Sequence, residues 1–291
     1  MIRAKTLLII GTVLLVAPLQ PEHETFGATG REYTVAARLL KGSDAAVPTD
    51  LVIKSEGRSA RASFQNLNKT SMEVAIILDG GPSQAQVLDR EKDLAISIVN
   101  GLSDRDANFM VGRVGLAGRL FPRTRDRTVV VRTIQEISGD TGKSTDVAIY
   151  DLLGAAIHEM TDGSAIRILI FIGGGKDLGS KSSYKELRNL AEANHVACFV
   201  LLVADRSHRG PKSMLSHGWF MRELADETAG IFLENEKTAK ATEKVSENIR
   251  ALRLVIFEMD YKEAGRHEIR LKSTPRLRIR VQKAVFVEGI N

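Results

Sequence analysis

Between positions 72 and 252 the chain alternates two hydrophobic rhythms. MEVAIILD (72–79), IRILIFI (166–172) and VACFVLLV (196–203) are almost unbroken apolar runs. Runs of that length mark strands covered on both faces. NFMVGRVG, with a partner near GRLFP, predicts a further strand pair, and IFLE a short one. Between them, apolar residues recur at helical spacing. Val87, Leu88, Leu94, Ala95, Ile98 and Val99 predict a helix over 84–102, and Val147, Ala148, Leu152, Ala155 and Ile157 one over 145–160. Asp126 can cap a helix reaching Ile137, although the β-branched Val129 to Val131 oppose it. Helices over 182–194, 214–229 and 238–252 complete the pattern. Repeated βα units of this size predict an α/β fold, a doubly wound and mostly parallel sheet with helices on both faces.

Both ends of the chain switch to period two. YTVAARLL, DLVIKS and ARASFQNL are divided by turn signals at Gly42-Ser43-Asp44 and Glu56-Gly57. LVIFEMDY, HEIRLKS and LRIRVQKAVFV are split by Gly265 and Pro275. The expected organisation is a β-hairpin module over 32–70, the α/β domain over 71–253, and C-terminal strands over 254–291 that pack with the N-terminal module. Together the two segments form a flanking antiparallel β module.

The segment before position 20 has a different character. MIRAK is basic, and 6–19 is apolar apart from Thr6, Gly11 and Thr12, which reads as a secretory signal peptide over 1–20. An uncleaved N-terminal anchor is the alternative. Either way the body of the protein is exported, periplasmic or secreted, and the membrane is involved only through such an anchor. The single cysteine, Cys198, lies within an apolar run and offers no disulfide framework. With no cysteine after the signal segment, lipid modification is not expected. The formal charge of +5 is spread along a chain of 291 residues with 5% aromatics, which argues for solubility and against a nucleic-acid footprint.

The candidate chemistry begins where MEVAIILD ends. Asp79-Gly80-Gly81-Pro82-Ser83 places an acid and a hydroxyl at the carboxyl end of a buried strand, where open α/β sheets bind ligands. Hard oxygen donors there suit a divalent cation or a polar partner group. Gly173-Gly174-Gly175 and the GKST run at 142–145 lack the spacing of a phosphate loop. None of the six histidines stands in a catalytic phrase, and His208 and His217 share a polar loop. No enzyme is expected. Trp219 and Phe220 are either an interface anchor or a hydrophobic staple for their helix.

Several phrases carry a family resemblance: MEVAIILDGGPS, GLSDRDANFMVGRV, GKSTDVAIYDLLGAAI, RILIFIGGGKDLGS and ELADETAGIFLE, with DLVIKSEGRSARASFQNL before them and GRHEIRLK after. In this order they resemble a von Willebrand factor type A domain, and in particular the secreted bacterial proteins related to it. The resemblance implies a metal site built from a DxSxS loop, a threonine and a fourth-strand aspartate, with an open position for an acidic group of a partner. Asp79 and Ser83 match the first loop and Thr145 the second, whereas Gly81 stands at a ligand serine and Gly174 at the aspartate. The implied site is degenerate. It should hold Mg²⁺ weakly or not at all, since most of the charge that offsets dehydration is missing. No other cofactor is implied. The expected function is protein binding or adhesion at the cell envelope by the loops at the carboxyl edge, with Asp79, Ser83, Thr145, Asp177 and Trp219 as contact residues. Arg113, Arg119, Arg123, Arg125 and Arg127 either favour an acidic partner or form a solvated face. The competing expectation is a non-catalytic scaffold of an envelope assembly in which the β module makes the contacts.

Overall fold

A computed structural model describes residues 30–40, 51–65, 71–141, 147–160, 165–203, 214–272 and 279–287. Its central sheet has six strands: β4 (Met72–Asp79), β5 (Ala107–Val114), β6 (Arg119–Leu120), β7 (Ile166–Gly173), β8 (Val196–Leu202) and β9 (Phe232–Glu234). They lie in the order β6-β5-β4-β7-β8-β9, and only the β5–β6 pairing is antiparallel. The apolar runs alternate between two cores. Val74, Ile76 and Leu78 pack under α1 (Leu88–Gly101), α2 (Arg127–Glu136) and α6 (Thr238–Arg250). Ala75 and Ile77 pack under α3 (Ile149–Glu159), α4 (Tyr184–Ala193) and α5 (Met214–Glu227). Burial on both faces explains why β4 has no exposed position.

Local signals set the helix ends. Asp126 caps α2 by accepting from the Thr128 and Val129 amides, which, with Val130 and Ile134 buried, outweighs the β-branched run. Ser183 and Glu186 form a reciprocal capping box on α4. The helix expected from position 84 instead begins at Leu88, because Pro82 to Gln84 form a separate 3₁₀ turn. After α5 the chain passes so close to β8 that a Cβ on Gly230 would lie 1.7 Å from the Cys198 carbonyl oxygen. Cys198 is itself buried, and burial pushes its thiol up to about 12.

The flanking module is a second six-stranded sheet. It uses β1 (Arg31–Leu39), β2 (Leu51–Ser55), β3 (Arg58–Phe64), β10 (Leu252–Met259), β12 (Arg270–Lys272) and β13 (Ile279–Val281) in the order β12-β2-β3-β10-β1-β13. β11 (Gly265–Glu268) and β14 (Ala284–Val287) form a separate antiparallel pair. HEIRLKS and LRIRVQKAVFV, each expected as one strand, are each broken at a corner. The first breaks at Ile269, whose amide donates to the Lys283 carbonyl at 2.8 Å, and the second at Gln282. Switching sheets at these two corners lets one segment close both the module core and the seam against α4.

That seam lies at the amino ends of the central strands. The C-terminal residues of α4 and α5 lead directly into β8 and β9, and there the module is attached. Gln282 donates to the Glu192 carbonyl at 2.7 Å, Arg280 reaches Asp226 at 2.6 Å, and the Lys283 amide reaches the Glu227 carbonyl at 2.8 Å. The opposite edge, where β4, β5, β7 and β8 end, is left to the loops.

Candidate functional site

Asp79 is the last residue of β4 and is 3% exposed. Its side chain follows Ile77 toward the α3 face, where one oxygen accepts from the Gly81 amide at 3.1 Å and the other from the Gly174 amide at 3.2 Å. The carboxylate thus joins the β4–α1 loop to the β7–α4 loop. Burial raises its pKa, and the two amides oppose that rise. Ser83 is exposed on the 3₁₀ turn, and Thr145 lies outside the described residues.

The two glycines at ligand positions are closely packed. A Cβ on Gly174 would lie 2.3 Å from Gln84 Nε2 and 2.9 Å from its Cδ. A Cβ on Gly81 would lie 2.9 Å from Val147 Cγ2 and 3.0 Å from Asp79 Oδ1. Gln84 and Val147 therefore fill the space in which the two missing donors would project. Among the described residues no three acidic, histidine or cysteine side chains come together as a metal cluster.

On the other face of β4, beneath α1, lies Glu91. It is fully buried, and neither of its oxygens has a hydrogen-bond partner within normal geometry. Burial first and the Asp79 charge second raise its pKa well above the ordinary value, against a weaker pull from the Asp79 amide. Leu88, Glu91, Leu94, Ala95 and Ile98 form the buried stripe of α1, so a charged residue in an apolar register was the available sequence signal for this group.

The neighbouring loops are held by their own ion pairs and caps. Arg113 pairs with Asp140, whose amide donates to the Gly80 carbonyl at 2.8 Å. Asp177 accepts from the Ile149 amide at 2.7 Å and from the Ser180 hydroxyl at 2.6 Å, capping α3. Asp151 accepts from the Lys181 and Ser182 amides at 2.9 and 2.8 Å, which hold its carboxyl below its ordinary value despite some burial. The arginines expected to form a basic face have partners within the chain. Arg123 pairs with Glu73 at 2.9 Å, Arg125 with Asp106 at 3.8 Å, Arg127 donates to the Leu102 and Arg105 carbonyls, and Arg119 lies over the Phe121 ring.

Trp219 stands on α5 at the level of the β8 terminus, since the adjacent Gly218 faces Leu202. It is 56% exposed and closes a row of rings: Trp219–Phe220 at 5.2 Å, Phe220–Tyr184 at 5.0 Å and Tyr184–Tyr150 at 6.4 Å. Among the described residues, four large apolar side chains are exposed: Leu116, Val129, Leu178 and Trp219. Three of them come after the carboxyl ends of β5, β7 and β8 in the chain, Leu116 and Leu178 in the loops that follow β5 and β7 and Trp219 on α5. Leu116 and Leu178 had no periodic signal in the sequence, because both lie in irregular loops.

An open, mostly parallel α/β sheet with helices on both faces is a fold of the doubly wound class, and sheets of that class bind ligands outside the carboxyl ends of their strands. The body is a von Willebrand factor type A domain by fold. Proximal thread matrix protein 1 from the mussel byssus, solved with a zinc-occupied MIDAS motif, matches with a TM-score of 0.50 at 14% identity over 64% of this chain and 47% of that one. An aerotolerance-related membrane protein from Bacteroides fragilis matches with a TM-score of 0.49 at 21% identity over 62% of this chain and 99% of that one. BatB from Bacteroides thetaiotaomicron matches with a TM-score of 0.48 at 22% identity over 62% and 98%. No protein-family model matches the chain, and no curated protein does.

Proposed function

We propose that this is an exported type A domain protein that binds a protein partner through the loops at the carboxyl edge of its sheet, without catalysis and with little or no metal dependence. The observation that carries this reading is the exposure of Leu116, Leu178 and Trp219 on segments that follow β5, β7 and β8, the apolar rim of an edge where the acid at the end of β4 is withdrawn from solvent. Exposed apolar groups gathered on one edge mark an interaction surface, and an exposed tryptophan backed by packed rings is a typical anchor. Lys176 and Lys181 are exposed on the same edge and suit a partner with acidic groups at its periphery. The basic and apolar N-terminal segment supports export and adhesion at the cell envelope.

The test is crosslinked capture from an envelope extract by the full chain and by a Trp219→Ala, Leu178→Ser variant. Loss of a specific partner in the variant, with an unchanged melting temperature, is expected. Capture that survives these changes but fails on substitution of exposed module residues would favour the scaffold reading and sink this one.

A further inference from the structure

We propose that the Asp79 turn is a metal-free clasp: two main-chain amides stand in for a cation, and Gln84 is the plug that keeps the second ligand's place filled. A divalent ion held between the two loops would neutralise Asp79 and fix the loops relative to each other. Here the Gly81 amide orients the carboxylate within its own turn and the Gly174 amide ties it to the second loop, each donating to a different oxygen of the same carboxylate. A carboxylate oriented by two N–H donors is stabilised without a metal, because charge-assisted hydrogen bonds of this kind replace much of the lost hydration.

The packing around the clasp is specific to it. A Cβ on Gly173 would lie 2.2 Å from the Asp79 Cβ, so the acid lies directly against the β7 backbone with no room for a side chain there. At Gly174 the missing side chain's volume is taken by the Gln84 carboxamide, and Gln84 is only 9% exposed, which limits where that group can go. Gln84 ends the 3₁₀ turn, four residues before α1 begins at Leu88, and is the buried residue of that turn. The loss of two donors is thus accompanied by two fillings, Gln84 and Val147, and by a new use for the remaining acid. The proposal shares the location of the binding edge with the function proposed above, but its test needs no partner, so either can fail alone.

The experiment uses the full chain, with Mn²⁺ and Mg²⁺ as probes. Calorimetric titration should give no saturable heat, and the melting temperature should be the same in millimolar Mn²⁺ and in chelator. Micromolar binding, or a metal-dependent rise in melting temperature, would overturn the proposal. Asp79→Asn, measured in chelator, should melt several degrees lower, because one acceptor oxygen becomes a donor facing an amide. A variant as stable as the parent would show that the clasp does not hold the loops. The plug is tested by a double-mutant cycle of Gly174→Ala and Gln84→Ala. The added methyl should lower the melting temperature clearly in the parent and much less once Gln84 is truncated. Additive effects would show that Gln84 does not occupy that space.

Discussion

Arg266 grips Glu192 with two parallel hydrogen bonds of 2.7 and 2.9 Å, joining a strand of the flanking module to the last turn of α4. Glu192 is fully buried, and Arg266 also lies 3.8 Å from Glu227. Removing one partner of a buried pair leaves an uncompensated charge, so Arg266→Ala should destabilise the protein by about 3–5 kcal/mol. Urea unfolding measures this. Arg266→Leu combined with Glu192→Leu should be much less damaging than either change alone, and equal damage would assign the loss to packing instead.

Glu91 carries the opposite sign. Its folded pKa is raised, so above the ordinary glutamate range the folded chain retains a proton that the unfolded chain has released. Stability from this group is complete below that range and falls as pH rises toward the folded value. Glu91→Gln should therefore raise stability at neutral pH and flatten the profile above the ordinary glutamate range. A variant less stable than the parent at pH 8 would mean that the ionised carboxylate is needed.

His195 produces an acid limb. Burial, followed by the charge of Arg167, lowers its pKa to about 4 from 6.5. The unfolded chain takes up the proton first, so stability is lost as pH falls from 6.5 to 4, by at most about 3 kcal/mol. Because His195 has a φ of 54° in the left-handed region, asparagine is the replacement that tolerates its backbone. His195→Asn should remove this part of the acid dependence in unfolding experiments at pH 4.5 and 7. An unchanged difference between those pH values would place the dependence elsewhere.

Gly230→Ala should abolish or severely impair folding. The added methyl would meet the backbone of β8, which cannot move without displacing the central sheet. A circular dichroism melt close to that of the parent would contradict this, and a loss above about 4 kcal/mol would place it among the exceptional overpacking mutants.

Trp219 is the only tryptophan, so fluorescence reports on the rim alone. Its emission should be that of a largely solvated indole and readily quenched by acrylamide. A blue shift with protection from the quencher is the expected signal when a partner binds.

The central strands were legible because burial on both faces leaves a continuous apolar run, as in MEVAIILD, and helical spacing marked the helices on either side. Neither corner of the module was legible. Ile269 and Gln282 continue the period-two pattern of their neighbours, and only the seam with α4 dictates that the chain turn there. The candidate site was half legible. Asp79 announced itself by its place at the strand end, and the loss of donors at Gly81 and Gly174 followed from the family resemblance. The fillings by Gln84 and Val147 depend on how separate loops fold onto one another, and no local pattern encodes that.

The attachment of the β module to the amino ends of the central strands has a geometric consequence. β1 and β14, the first and last described strands, both belong to the module, which is attached at the edge of the sheet opposite the apolar rim. Anything that grips the module strands would hold the molecule by its base and leave Trp219 and its neighbours facing outward.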